Sequence, residues 1–384
     1  MRRDIRIINL AVFLWGVGEG LFITIQPLYI EALGANPAQI GGVLSLMALA
    51  AALTYLPAGY LADRVPRKPA LLGGWVCGVL AMLIAALARD WRALTVAIVI
   101  YGASAYSVPI LNTYLATAAE GQRLGRVFTT NIAFYTTGVL LAPTVGGLLA
   151  EWFSMRAVYL ISAGIFGLSL LVMLQITPQR ALLRPHQGEG WQALRGGRPL
   201  RFAAWLWFSF LAMYVSFPLG ANFVADVRRL STAQVGMMGS VYAVGMTVFS
   251  LLLGRLDGGR RPWGIALAQG LVWMSALLLA LAPGVGATGC AFFLRGAYLA
   301  CRGLSQGRAG NLLGATQRGL SLAVAQTAMS LAEVIGAMVA GRLYAARPDA
   351  PFIATLVAVP VMMVITLALP EFGGVQEVSY QPGG

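Results

Sequence analysis

Four ionisable residues stand inside stretches otherwise fit for hydrocarbon. They are Glu19 in AVFLWGVGEGLFITIQP (11–27), Arg295 and Arg302 in FFLRGAYLACRG (292–303), and Glu333 in MSLAEVIGAMVAG (329–341). A charge at the bilayer centre costs roughly 2.5–3.5 kcal/mol on insertion scales, so such residues mark function or pair with one another. A carboxyl in an apolar setting can take a proton on one side and release it on the other. Glu19 and Glu333 are therefore candidates for proton coupling. Glu19 has two further readings, a contact for a cationic or polar substrate and a structural ion pair. Arg295 needs a carboxylate, from Glu333 on the adjacent run or from Glu19 across a cavity. Its other readings are a seat for an anionic substrate group, or exchange of partners as Glu19 or Glu333 is protonated. Arg302 follows seven residues later on roughly the same face, nearer the cytoplasm, where it could snorkel.

These residues need a scaffold that crosses the membrane. The 384 residues are 58% hydrophobic and 11% charged, against about 25% charged in a soluble domain of ordinary composition. Apolar runs of roughly 20 residues recur at 5–30, 38–61, 69–88, 93–119, 127–150, 156–176, 201–224, 234–256, 262–283, 285–307, 320–346 and 352–370. The expected fold is an all-α membrane protein with twelve transmembrane helices. The polar break TPQRALLRPHQGEGWQALRGGRPLR (177–201) separates the sixth run from the seventh. The expected organisation is an N-terminal six-helix bundle (1–176), a cytoplasmic linker (177–200), a C-terminal bundle (201–370) and a cytoplasmic tail (371–384).

The net charge of +13 follows topology and does not indicate a nucleic-acid partner. Arg2, Arg3, Arg6, Arg64, Arg67, Lys68, Arg123, Arg126, the arginines of 180–201, Arg255, Arg260, Arg261, Arg308 and Arg318 fall on one side. Arg89, Arg92, Arg156, Arg228, Arg229, Arg342 and Arg347 fall on the other. The positive-inside rule then puts both termini in the cytoplasm of a multi-pass inner-membrane protein. Cys77, Cys290 and Cys301 lie within apolar runs and give no disulfide framework. The first run is of full helix length and reads as a retained helix rather than a signal peptide.

The chain repeats itself. NPAQIGGVLSLMA (36–48) matches STAQVGMMGSVYA (231–243), GYLADRVPRKP (59–69) matches GRLDGGRRP (254–262), and AEGQRLGRVF (119–128) faces GATQRGLSLA (314–323). Three matches in register imply two pseudo-symmetric six-helix halves of like orientation, with a binding site near midplane between them.

GYLADRVPRK resembles the loop 2–3 signature of the major facilitator superfamily. Gly59, Asp63, Arg64, Arg67 and Lys68 match it, and Pro66 stands where the family usually has Gly. GVLLAPTVGG resembles the fifth-helix signature of that family's twelve-helix drug and metabolite proton antiporters, filled by Gly138, Ala142, Pro143, Gly146 and Gly147. The resemblance implies the major facilitator fold and a gating latch on the cytoplasmic side, built from Gly59, Asp63, Arg64, Arg67 and Lys68 with Asp257 in the second copy. The bland alternative is positive-inside charge in a tight turn. In the fifth helix, Gly138, Pro143, Gly146 and Gly147 read either as ordinary tight packing or as a hinge surface between the halves. The fourth run, LTVAIVIYGASAYSVPILNTYLA (94–116), lacks the mid-helix Arg that many relatives carry and that is associated with proton coupling.

Tyr101, Tyr106, Asn112, Asn131, Tyr135, Tyr214, Tyr242 and Tyr298 fall on helices that face the cavity by analogy. With Glu19, Arg295, Glu333 and Arg302 they form the expected substrate site, mixed in character and suited to amphipathic molecules. The leading reading is a monomeric, proton-coupled exporter of small amphipathic compounds working by alternating access in the lipid bilayer, with no metal or cofactor. Other readings are a carrier of an organic anion or lysolipid held by Arg295, and a transport-inactive receptor or scaffold. The sequence has no His-Glu-x-x-His, Gly-x-Ser-x-Gly or phosphate-cradling Gly-x-x-x-x-Gly-Lys-Ser/Thr to support an enzyme or an ATP-driven pump.

Overall fold

The computed structural model describes residues 3–61, 65–119, 124–179, 197–256, 262–309 and 318–368, and sixteen helices lie among them. They are α1 (Arg3–Ile23), α2 (Gln26–Ala32), α3 (Pro37–Leu61), α4 (Arg67–Leu87), α5 (Trp91–Ser104), α6 (Ser107–Ala118), α7 (Leu124–Trp152) and α8 (Met155–Met173) in the first half. The second half holds α9 (Gly197–Tyr214), α10 (Gly220–Asp226), α11 (Thr232–Leu256), α12 (Trp263–Leu281), α13 (Val285–Arg295), α14 (Ala297–Ala309), α15 (Arg318–Ala346) and α16 (Ala350–Ala368). Joined end to end they make twelve spans. Four spans are broken, as α1–α2, α5–α6, α9–α10 and α13–α14. These are the first and fourth of each half.

Each break has a local cause. Proline cannot donate its backbone hydrogen bond and glycine weakens a helix interior. Pro27 opens α2, Pro109 lies in the first turn of α6, Pro218 falls between α9 and α10, and Gly296 stands between α13 and α14. Ten spans pass a simple test of length and apolarity; the broken seventh and tenth do not.

The repeated Ala-Gln pair is a helix-start device. Asn36 and Gln39 exchange bonds at the start of α3, both 2.9 Å. Ser231 and Gln234 do the same at α11, at 2.9 and 3.4 Å. Reciprocal side-chain bonds of this kind satisfy backbone donors that a helix start leaves free. Single caps set two other starts, Asp90 for α5 and Ser154 for α8.

Within the first bundle α1 packs on α7 and α8, and α4 on α5 and α8. In the second, α9 packs on α15 and α16, and α12 on α13, α14 and α16. The bundles meet where α3 crosses α15 and α7 crosses α11. Both crossings use glycine facing glycine. A Cβ on Gly41 would lie 2.4 Å from the Ala337 carbonyl oxygen and 2.8 Å from Gly341 Cα. A Cβ on Gly236 would lie 2.4 Å from the Pro143 carbonyl oxygen and 2.8 Å from Gly147 Cα.

Hydrogen bonds reinforce these crossings. Thr144 Oγ1 is 2.7 Å from Ser240 Oγ, and the Ala233 amide donates to Glu151 Oε2 at 2.9 Å. Asn222 Nδ2 donates to the Pro27 carbonyl at 3.4 Å and to the Glu31 carboxylate. All of these lie in the halves of the spans remote from the chain's two ends. No hydrogen bond between described residues joins the bundles on the terminal side. Among the described residues, the hydrogen bonds that join the two bundles lie on the far side.

Candidate functional site

Glu19 lies on α1, and its two flanking glycines serve helix packing. A Cβ on Gly18 would meet the Phe166 ring at 2.6 Å, and one on Gly20 would meet Ala142 Cβ at 2.6 Å. With α8 and α7 pressed to its sides, α1 turns Glu19 between them. Tyr135 donates its hydroxyl to Glu19 Oε2 at 2.9 Å, and Tyr101 and Trp15 stand within reach of the same carboxylate. Behind them Trp15 stacks on Phe166, with centroids 4.1 Å apart. Among the described residues no cation pairs with Glu19.

On the facing bundle, Glu333 of α15 forms an ion pair with Arg302 of α14. It also accepts from the Tyr298 hydroxyl at 2.8 Å. The expectation that Arg295 meets a carboxylate, Glu333 or Glu19, is not met among the described residues, and Arg302, read as free to snorkel, turns inward to Glu333. At 1.5 Å rise per residue, Arg295, Glu333 and Arg302 stand roughly 15, 20 and 25 Å from the far ends of their spans. Side chains lean toward their own helix's N-terminus. The spans are antiparallel, so Arg302 and Glu333 lean toward each other while Arg295 leans away.

Arg295 ends α13 and is 4% exposed. It donates to the Ser216 carbonyl at 2.5 Å, inside the break between α9 and α10. Its guanidinium carbon sits 4.0 Å from the Phe217 ring centroid and 5.5 Å from that of Phe292. A Cβ on Gly220 would collide with it, at 2.3 Å from Nη1. Phe217 is bracketed by Tyr214 at 5.8 Å, Tyr298 at 4.7 Å and Tyr242 at 6.5 Å. Among the described residues no carboxylate pairs with Arg295.

The two walls share one space. Tyr135 and Tyr242 lie within electrostatic reach of each other across the bundles, as do Tyr242 and Arg295 within the second bundle. Tyr55 of α3 neighbours Glu19, Arg302 and Glu333 together. Of the sequence-selected residues, Glu19, Tyr101, Tyr135, Tyr214, Tyr242, Arg295, Tyr298, Arg302 and Glu333 thus fall in one neighbourhood. Tyr106 does not, since it donates to the Ala70 carbonyl at 2.9 Å. Asn131 bonds Asn9 at 2.9 Å inside the first bundle, and Asn112 is exposed on α6. Trp15, Tyr55 and Phe217 were not singled out. The signal available was an aromatic residue one turn from Glu19 (Trp15) and another next to the Pro-Leu-Gly break (Phe217).

The candidate gating residues divide. Gly138 and Gly146 press on α1, with Cβ positions 2.4 Å from the Phe13 carbonyl oxygen and within contact of that of Leu21. Gly147 and Pro143 face α11 across the bundles. Arg67 is buried and donates to Thr117 Oγ1 at 2.8 Å and Gln179 Oε1 at 3.0 Å. Lys68 donates to the Leu174 carbonyl at 2.8 Å. Asp63, Arg64 and Asp257 lie outside the described residues, as do the surroundings of Gly59.

Residues 8–301 match the sequence model of the Major Facilitator Superfamily. Among curated relatives, the multidrug resistance protein MdtG of Serratia proteamaculans (strain 568) is 32% identical over 205 residues, 50% of each chain. The multi-drug resistance efflux pump PmrA homolog of Lactococcus lactis subsp. lactis (strain IL1403) is 31% identical over 176 residues, 44% of this chain and 43% of that one. The chain therefore spans about half the length of the curated relatives it matches. Among solved structures, the nucleoside transporter NupG (D323A mutant) aligns with a TM-score of 0.82 at 16% identity, covering 95% of this chain and 99% of that one. A bacterial homolog of the human lysosomal transporter Spinster, inward-facing and unoccupied, aligns with a TM-score of 0.72 at 15% identity, covering 96% and 95%.

Proposed function

The chain belongs to the Major Facilitator Superfamily, a family of transporters rather than enzymes, and from that premise we propose that it is a proton-coupled exporter of small amphipathic compounds. The observation that carries this reading is Glu19, a carboxylate between the bundles with tyrosine hydroxyls around it and no cationic partner among the described residues. Such a group can alternate between a proton and a cationic substrate, and that exclusivity couples the two movements. The word efflux in the name of the PmrA homolog, and multidrug resistance in that of MdtG, support the direction.

Alternating access fits a pair of bundles that cross at facing glycines on the far side. With the basic loops and both termini in the cytoplasm, that far side is the periplasmic one. The halves are 1–176 and 201–370, joined by the linker 177–200 and followed by the tail 371–384. The site residues all come from one chain, which is consistent with a monomeric working unit.

The test is proton movement in sealed proteoliposomes with an internal pH dye, challenged with cationic, neutral and anionic amphiphiles. A compound-dependent pH change that disappears in Glu19→Gln is the expected result. Absence of any pH change while labelled compounds still cross would refute proton coupling. A second reading, a carrier of organic anions or lysolipids centred on Arg295, is favoured by the lack of a carboxylate partner for that residue among the described residues. It predicts transport of anions without proton movement.

A further inference from the structure

Among the described residues, the two walls of the cavity carry opposite charges without an ionic partner. On the first bundle Glu19 accepts from Tyr135 and no described cation pairs with it. On the second, Arg302 and Glu333 neutralise each other, while no described carboxylate pairs with Arg295. A guanidinium has five N–H donors; that of Arg295 finds one protein acceptor among the described residues, the Ser216 carbonyl. The aromatic faces of Phe217 and Phe292 soften the field of this cation but accept none of its N–H groups in the guanidinium plane. A desolvated cation of this kind favours an anion that can meet those donors side by side.

We propose that this cavity binds a zwitterionic amphiphile, its cationic group at Glu19 and its carboxylate or phosphate at Arg295. The aromatic side chains between the two poles, Tyr135, Tyr242 and Phe217, take the apolar body. Phe217 lies against the guanidinium from the break between α9 and α10, so the ring that takes the apolar body stands next to the anion's seat. The proposal rests on the transport reading above but names its substrate class. It also assigns the two poles to different bundles, so a bound zwitterion draws the bundles together.

The test uses three compounds on one aromatic body: 4-(trimethylammoniomethyl)phenylacetate, and the singly charged 4-methylbenzyltrimethylammonium and 4-methylphenylacetate. The quaternary group carries no proton, which keeps binding separate from coupling. Affinities are measured on the full chain in detergent and by competition in counterflow. The zwitterion is expected to bind at least ten-fold more tightly than either singly charged compound. Glu19→Gln should reduce its affinity to that of the anion, and Arg295→Gln to that of the cation. Equal affinities for zwitterion and cation in the wild type, or no binding of the zwitterion, overturn the proposal. So does an Arg295→Gln protein that is folded yet weakens cation and zwitterion alike, since Arg295 would then only hold the break. If Arg295→Gln does not fold, Arg295→Lys decides: the charge is kept but the side-by-side donors are lost, so the zwitterion preference should fall without vanishing, and a preference unchanged from the wild type refutes the site. Proton movement is read separately with the pH dye, so a zwitterion preference without it would sink coupling and leave this assignment standing.

Discussion

Arg302 and Glu333 lean toward each other from antiparallel helices and form an ion pair that the Tyr298 hydroxyl completes at 2.8 Å. The side chains are 21% and 16% exposed, so the pair is largely withdrawn from solvent but open to the cavity. Breaking a buried pair by removing one partner costs roughly 3–5 kcal/mol, whereas replacing both with apolar groups is often neutral.

Glu333→Ala should therefore lower stability by about 2–3 kcal/mol, below that range because of the partial exposure. The double change Arg302→Met/Glu333→Met should recover most of that loss without recovering transport. Thermal unfolding in detergent reads the first effect and counterflow the second. If the double variant is as unstable as the single one, the two residues are not energetically paired.

Tyr114 makes a second testable anchor, at the terminal end of the first bundle. Its hydroxyl donates to Asp4 Oδ2 at 2.7 Å, and Thr177 donates to the same oxygen through its hydroxyl and, at 3.3 Å, its amide. A hydrogen bond to a charged group is worth about 1.5–3 kcal/mol. Tyr114→Phe should lose that much stability while transport per folded molecule is unchanged. A fall in transport larger than the fall in folded protein would make the network part of the cycle.

Much of this architecture is legible in the amino-acid chain. The twelve apolar runs and the repeat foretell both bundles, and the glycines of the repeated Ala-Gln-aliphatic-Gly, Gly41 and Gly236, are the ones at the seal. Which face of each helix meets the cavity is far less legible. A membrane helix is apolar all round, so periodicity does not separate lipid, core and cavity faces. That is why Asn131, held by Asn9, and Tyr106, held by the Ala70 carbonyl, look like site residues until their neighbours are placed. The pairing of Glu333 with Arg302 depends on the tilt of Cβ bonds along two antiparallel helices and on the break at Gly296, neither of which spacing alone conveys. The fifth-helix signature mixes two roles because adjacent residues face different partners: Gly146 meets α1 while Gly147 meets α11.

The glycine crossings are closely enough packed to be jammed. Gly236→Leu, whose Cβ would sit 2.4 Å from the Pro143 carbonyl oxygen, should hold the far side open. In a variant lacking Cys77, Cys290 and Cys301, a cysteine at Thr144 should then react several-fold faster with an impermeant maleimide applied from the far side. Transport should fall at least ten-fold. Gly164→Leu, where a Cβ meets nothing within 4 Å, is the control and should change neither. Unaltered labelling in Gly236→Leu would mean that this crossing does not close the seal.

The seal is symmetric in its glycines but not in its charges. Gly147 and Gly341 occupy matching positions, 194 residues apart, yet Glu151 is matched by Ala345 at the same spacing. Glu151 accepts from the Ala233 amide in the first turn of α11, across the two bundles. A carboxylate at a helix start is also favoured by the helix dipole, in addition to the hydrogen bond itself. The α7–α11 crossing therefore carries an electrostatic tether at a position where the α3–α15 crossing has an alanine. Glu151→Ala should raise far-side labelling at a cysteine placed at Thr144 by a few-fold. Glu151→Gln, which keeps an acceptor but loses the charge, should fall between the variant and the wild type. The difference between wild type and Glu151→Gln should shrink in high salt, as expected for a surface charge that is screened. If Glu151→Ala labels no faster than the wild type, the carboxylate is bystander to the seal and the glycine crossings hold it unaided.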